Sequence, residues 1–187
     1  MSVSCDRLLE LLRERSYARR PVVLASGRKS DFFIDVKQTA LLAEGHALVG
    51  EALFDAIAEM SGVAVAVAGV ALGGCPLASA VSLTSHLRGA PLDAVYVRKA
   101  AKDHGSARQI EGDTHLAAGT SLAVVEDVVT TGGSTLRAVE TLRAAGYTVI
   151  GVVAVVDRQE GGADAIRAAG LPFRRLFGRD DFEVGDA

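Results

Sequence analysis

From Val63 to Phe177, apolar runs of strand length alternate with stretches of helical character, and this rhythm limits the folds open to the chain. Val63–Val70, Asp93–Val97, Leu122–Val125, Thr148–Val156 and Phe173–Phe177 read as strands. Between them, Cys75–Leu87, Ser134–Ala145 and Ala163–Ala169 read as helices, the last two closed by Gly146 and Gly170. Apolar strands in alternation with helices predict an α/β fold: an open, mainly parallel, twisted sheet flanked by helices on both faces. Hydrophobic residues make up 49% of the 187, enough for a sizeable core, while 5% aromatics and no Trp make that core mostly aliphatic.

Upstream, Ser4 is placed to cap a helix carrying Leu8, Leu9, Leu11 and Leu12. "PVVLASGRKSDFFIDV" then reads as two short strands around a Gly-containing turn, and Glu44–Met60 as a helix. The expectation is one domain over residues 1–187, with residues 1–42 as a small N-terminal hood. One segment breaks the rhythm. Residues 98–116, "RKAAKDHGSARQIEGDTHL", form a polar connection of roughly 19 residues, longer than the ~12–15 beyond which a loop is usually functional or disordered.

The net charge of -3 and pI near 5.8 give no global reason to expect nucleic acid or a membrane surface as partner, so any anion site must be local. Cys5 and Cys75 have no neighbours at metal-ligand spacing and read as buried free thiols in a reducing cytoplasm. Cys75, at a helix start, is also where a lowered thiol pKa is conceivable. His46 and His86 read as surface or packing residues, and His115 is assigned no role. The N-terminus is charged too early for a signal peptide, and Val63–Leu72 is too short to span a bilayer.

The chemistry concentrates in "VVEDVVTTGGST", Val124 to Thr135. In an open α/β sheet, ligands sit beyond the carboxyl ends of the strands, where Glu126 and Asp127 fall. The turn after them enters a helix. Its backbone N–H groups, with hydroxyls from Thr130, Thr131 and Ser134 and close approach at Gly132 and Gly133, make an anion cradle. It is not a Walker A loop, because no Lys follows the glycines. Two acids beside a phosphate cradle suit a molecule with a phosphate at one end and a ribose diol in the middle. Carboxylates accept the diol's hydrogen bonds and stabilise positive charge developing on the sugar ring.

This string resembles the phosphoribosyl pyrophosphate (PRPP) motif of the type I phosphoribosyltransferases. "YVRKAAKDHG" (Tyr96 to Gly105) resembles the mobile catalytic loop of the orotate phosphoribosyltransferase family, "ASGRKSDFFIDV" (Ala25 to Val36) its N-terminal segment, and "VVDRQEGG" (Val155 to Gly162) a strand end bearing an orotate-binding Arg. The resemblance implies the type I phosphoribosyltransferase fold and transfer of a phosphoribosyl group from PRPP to orotate. It implies PRPP contacts from Glu126, Asp127, Val128, Val129 and the Thr130–Ser134 turn, and from Arg98, Lys99, Lys102 and His104 of the loop. Lys102, Glu126 and Asp127 are the expected catalytic residues, with Lys102 supporting departure of pyrophosphate. Thr130, Arg158 and Phe33 are expected at the base, although a core role for Phe33 is nearly as good a reading. The family also implies a cytoplasmic homodimer in which Lys99 reaches the partner's site. Mg²⁺ is implied as well, held mainly by substrate oxygens with no protein metal cage.

The chemistry of the loop agrees: Arg98, Lys99, Lys102, His104 and Arg108 cluster positive charge, which a polyanionic leaving group needs. Some family members carry a Lys where this chain has Ala25 or Gly73, so two cations expected near PRPP are missing. The alternatives are a phosphoribosyltransferase for another nucleobase, or a non-catalytic PRPP-sensing regulator.

Overall fold

The computed structural model describes residues 3–23, 29–99 and 108–182. Its centre is a six-stranded sheet in the order β5-β4-β3-β6-β7-β8. The strands are β3 (Ala66–Val70), β4 (Asp93–Val97), β5 (Ile110–Glu111), β6 (Ser121–Val129), β7 (Thr148–Asp157) and β8 (Phe173–Gly178). All neighbouring pairs are parallel except β4 with the edge strand β5.

The period of two along each strand divides the core. Val67, Ala123, Val125, Val153 and Val155 face one side, packed with α1 (Val3–Arg15), α3 (Ala43–Ala58) and α4 (Gly74–Leu87). Ala68, Leu122, Val124, Val152 and Ala154 face the other, under α5 (Gly133–Ala144) and α6 (Gly162–Ala168). Both faces of the sheet are therefore covered, and the strands carry no polar side, as their composition requires.

The N-terminal region adds an antiparallel pair, β1 (Tyr17–Val23) with β2 (Lys29–Ile34), and the one-turn helix α2 (Lys37–Ala40). Phe32, Val36 and Ala40 belong to the same apolar cluster as the α3 and α4 face of the sheet. Tyr17, Phe32, Phe177 and Phe182 form a tilted and edge-on ring cluster that ties this region to β8 and the 3-10 turn Arg179–Phe182.

Several boundaries differ from the sequence expectation. Ser4 lies inside α1 and not before it. The strand expected from Val63 begins at Ala66, because Val63 and Val65 run past the covered part of the sheet and are 82% and 51% exposed. The strand expected to end at Val125 continues to Val129, so Glu126 and Asp127 sit within its last turn of pleat and not after it. Residues 98–116 are not all loop, since Ile110–Glu111 pairs with Tyr96 and Val97.

Candidate active site

At β3 the sheet order reverses. The chain goes from β3 to β4 on one side, and later returns as β6 on the other. Neighbouring strands whose continuations part in opposite directions leave a crevice at their carboxyl ends. The turn before α4 and the turn before α5 border it, and here Gly73 meets Asp127.

Glu126 and Asp127 are consecutive, so the pleat sends them to opposite faces of β6. Glu126 follows the Val124 side, toward α5, and is 4% exposed. The Thr135 hydroxyl, in the first turn of α5, donates to its Oε2 at 2.9 Å. Burial first and the neighbouring Asp127 second push the Glu126 carboxyl up to about 8, against the Thr135 hydrogen bond and the charge of Lys99, which lower it. Burial and Asp127 both favour the protonated form of this acid.

Asp127 follows the Val125 side, toward the N-terminal region. Its Oδ1 accepts from the N–H of Val128 at 2.9 Å. Its Oδ2 lies 3.9 Å from Nζ of Lys37, whose ammonium also meets Asp35 at 2.5 Å. Asp35, and more distantly Asp127, hold the Lys37 ammonium above its ordinary range despite partial burial. Gly73 presents bare backbone to the same oxygen: a Cβ there would stand 1.9 Å from Asp127 Oδ2. A side chain at 73 therefore requires Asp127 to move.

Thr130 to Ser134 turn directly from β6 into α5. Gly132 has φ 79°, a left-handed conformation that suits glycine, and its O accepts the first helical bond from Leu136 N–H at 2.9 Å. The N–H groups of the first turn have no carbonyl ahead of them in the helix and point out of its positive end. Gly162 N–H bonds Thr130 O at 3.0 Å, bracing the turn from the start of α6. Val128 is half-buried and the Val129 side chain is in the core.

Arg158 follows β7 and its N–H bonds Val129 O at 2.9 Å, next to Thr130 in the chain. Its side chain is folded in more deeply than a turn Arg would be. Nη2 donates to Phe32 O at 3.0 Å and lies 3.1 Å from Glu160, and the guanidinium is 5.5 Å from the Phe32 ring centroid. Arg179 faces the same ring at 5.5 Å. Burial lowers the Arg158 pKa, Glu160 opposes that, and Arg179 adds to it. Phe33, one residue on, is half-buried and carries the Arg20 guanidinium 3.9 Å from its centroid. The buried aromatic at this point of the core is Phe32.

In the loop stems, Arg98 N–H bonds Gln109 O at 2.8 Å and its side chain pairs with Glu111 at 3.2 Å. Arg98, Lys99, Ser134 and Arg137 line a cavity of about 220 Å³ beside α5. Lys102, His104 and Ala25 lie outside the described residues. Cys5 and Cys75 are half-buried, not fully buried, and burial pushes the Cys75 thiol up, the opposite of an activated thiol. Of the histidines, His46 is half-buried and bonds Ala40 O at 3.0 Å, while His115 sits 3.0 Å from Asp93.

A family model for the phosphoribosyl transferase domain matches residues 37–167, which span the acids, the turn and Arg158. Over 95% of its length the chain is 64% identical to the orotate phosphoribosyltransferase of Sorangium cellulosum (strain So ce56), covering 92% of that protein. The chain belongs to the orotate phosphoribosyltransferases. It is also 46% identical to the orotate phosphoribosyltransferase of Bradyrhizobium sp. (strain BTAi1 / ATCC BAA-1182), with 97% of this chain and 98% of that protein covered. The crystal structure of the Mycobacterium tuberculosis H37Rv orotate phosphoribosyltransferase in complex with PRPP superposes with a TM-score of 0.79 at 36% identity, over 97% and 99% of the two chains. The fold is that of the family, a mainly parallel sheet flanked by helices.

Lys37, Thr135, Glu160 and Arg179 were not singled out from the sequence. Thr135 ends the "VVEDVVTTGGST" string, so adjacency was its only signal. The alternation Asp35–Val36–Lys37 marks two charged residues on one side of a buried one, and nothing local says that their side faces Asp127.

Proposed function

We propose that the protein transfers the 5-phosphoribosyl group of PRPP to orotate, giving orotidine 5′-monophosphate and pyrophosphate for pyrimidine nucleotide synthesis. The observation that carries this is the meeting, in one crevice, of the Glu126–Asp127 pair and the Thr130–Ser134 turn at the start of α5. The turn offers backbone N–H groups and hydroxyls to the 5′-phosphate. The two acids face the ribose, accept its hydroxyl hydrogen bonds and stabilise the oxocarbenium-like ring as the C1–O bond breaks. Pyrophosphate leaves with the bonding electrons, N1 of orotate forms the new bond to C1, and the N1 proton passes to solvent.

Arg158 serves the orotate carboxylate, and its place beside Thr130 supports a shared role at the base, with Phe33 alongside. Arg98, Lys99, Lys102 and His104 neutralise the leaving group, with Lys102 supporting departure of pyrophosphate and Lys99 reaching the site of a second subunit in a homodimer. Residues 1–42 act as the hood of a single domain, and the loop tip closes over the substrates to exclude water. Among the described residues no three His, Cys, Asp or Glu side chains converge. Mg²⁺, which favours oxygen ligands, would be held mainly by substrate oxygens, where it would spread the charge of the leaving group. Among the described residues no helix is long and apolar enough to cross a membrane, and the proposed compartment is the cytoplasm.

The test is to mix the protein with PRPP, Mg²⁺ and orotate, follow loss of orotate absorbance, and repeat with uracil. Turnover of orotate well above uracil is expected; equal rates would overturn the choice of base. Lys102→Ala is expected to suppress turnover, and an unchanged rate would remove the loop from the mechanism. No turnover of any base, with PRPP still bound, would leave a PRPP-sensing protein.

A further inference from the structure

Lys37 reaches the acidic pair from outside the phosphoribosyl motif. Its mount is rigid. On either side of it, Val36 and Ala40 are each 1% exposed in the core, and Thr39 is fully buried. The Thr39 hydroxyl shares a 2.7 Å hydrogen bond with Ser16 and bonds Leu11 O at 3.2 Å, so the α2 turn is locked onto α1 and β1. Asp35 is held in turn by its N–H to Ser16 O at 3.0 Å, and it keeps the ammonium from swinging into solvent. The free end of Lys37 then stands 3.9 Å from Asp127, with a side chain 36% exposed beside a carboxylate 18% exposed. Among the described residues it is the one ammonium or guanidinium within ion-pair distance of Glu126 or Asp127. At the same carboxylate oxygen, Gly73 leaves no room for a side chain.

We propose that Lys37 is a positioning residue for phosphoribosyl transfer: clasped against the bare backbone of Gly73, the Asp127 carboxylate is held by the Lys37 ammonium in the orientation that receives the ribose. This rests on the reading that Asp127 faces the ribose of PRPP. An exposed ion pair contributes little to stability, and this one spans two separately anchored elements, so its removal should act on the substrate step and leave folding nearly unchanged. The role is exerted through Asp127, which makes the two residues one unit.

Steady-state kinetics with PRPP and orotate on the full chain decide this, for wild type, Lys37→Met, Lys37→Arg, Asp127→Asn and the Lys37→Met/Asp127→Asn double variant, with melting temperatures measured in parallel. Lys37→Met is expected to lower kcat/KM for PRPP by roughly 10- to 100-fold, the range of a lost interaction with a charged group, with KM for orotate within about twofold. Lys37→Arg is expected to recover most of that loss, and all single variants to melt close to wild type. In the double variant the losses should not multiply, because removing Asp127 removes what Lys37 positions. Unchanged kcat/KM in Lys37→Met, fully multiplicative losses, or a loss that merely follows a fall in melting temperature would overturn the proposal. A wild type that turns over neither substrate would overturn the functional reading along with it; an active wild type with an unaffected Met variant overturns this inference alone.

Discussion

The Thr135 hydroxyl donates to the Glu126 carboxyl at 2.9 Å on the α5 side of the sheet, within a residue that is 4% exposed. Burial and Asp127 outweigh that bond and raise Glu126 from an ordinary 4.5 to about 8. A carboxyl whose folded pKa lies above its unfolded value leaves stability untouched below the unfolded value. Stability then falls as pH rises, because the unfolded chain ionises first, and the loss levels off above the folded pKa. The ligand-free protein should therefore lose stability between about pH 4.5 and about pH 8. Glu126→Gln should remove that slope, making the variant the more stable of the two at pH 8 and no more stable than wild type near pH 4.5. Melting curves of both proteins across this range check it; parallel pH dependences would mean that Glu126 titrates alike in the folded and the unfolded chain.

Removing the Thr135 hydroxyl should make that carboxyl still harder to ionise. A hydrogen bond to a charged group contributes ~1.5–3 kcal/mol. Thr135→Val, close in shape, should lower kcat/KM for PRPP by roughly 10-fold or more at pH 7 under the same principle, with the deficit narrowing as pH rises past 8. A pH-rate profile of the variant reads this directly, and a deficit constant with pH would assign Thr135 to packing.

The parts of the molecule legible from the sequence are those set by local pattern. Apolar runs at period two or helical spacing found the strands and helices, and the strand–acid–turn–helix order placed Glu126 to Ser134 at a carboxyl edge. What escaped depends on contacts distant in the chain. The β5 ladder is two polar-flanked residues held by pairing with β4, without a hydrophobic pattern of its own. Val63 and Val65 are apolar yet lie beyond the covered sheet, so hydrophobicity alone carried the expected strand too far. Lys37 enters the site because the α2 turn brings it to 3.9 Å from Asp127 near the carboxyl end of β6, and Arg158 is drawn in by the carbonyl of Phe32, 126 positions away in the chain. The difference in burial between two consecutive acids follows from the pleat, but only once it is known which helix covers which face.

Gly73 and Asp127 offer a steric test of the crevice. A Cβ at 73 would fall 1.9 Å from Asp127 Oδ2, the mobile end of a side chain, so the backbone need not shift. Gly73→Ala should fold with a melting temperature near wild type while raising KM for PRPP severalfold, because Asp127 must turn away from the ribose. A marked fall in stability with KM unchanged would show that the glycine serves the start of α4 and not the substrate.

Arg158 is half committed before any substrate arrives, to Phe32 O and to Glu160. A carboxylate on the base would compete with Glu160 for the same guanidinium, and Arg matches planar carboxylates in two-pronged fashion. Losing one such charged contact corresponds to ~1.5–3 kcal/mol, or roughly 10- to 100-fold. Arg158→Ala should therefore reduce kcat/KM for orotate by about that factor under the same principle while leaving PRPP affinity nearly intact. The truncation also removes the guanidinium from the Phe32 carbonyl and ring, so some loss of melting temperature is expected with it. Arg158→Lys separates the two effects. It keeps the positive charge near Glu160 but loses the planar fork, and should recover stability more fully than orotate turnover. Titration with PRPP alone, followed by kinetics in orotate, checks both variants. Equal loss for PRPP and orotate would move Arg158 from the base to the general support of the β7 edge.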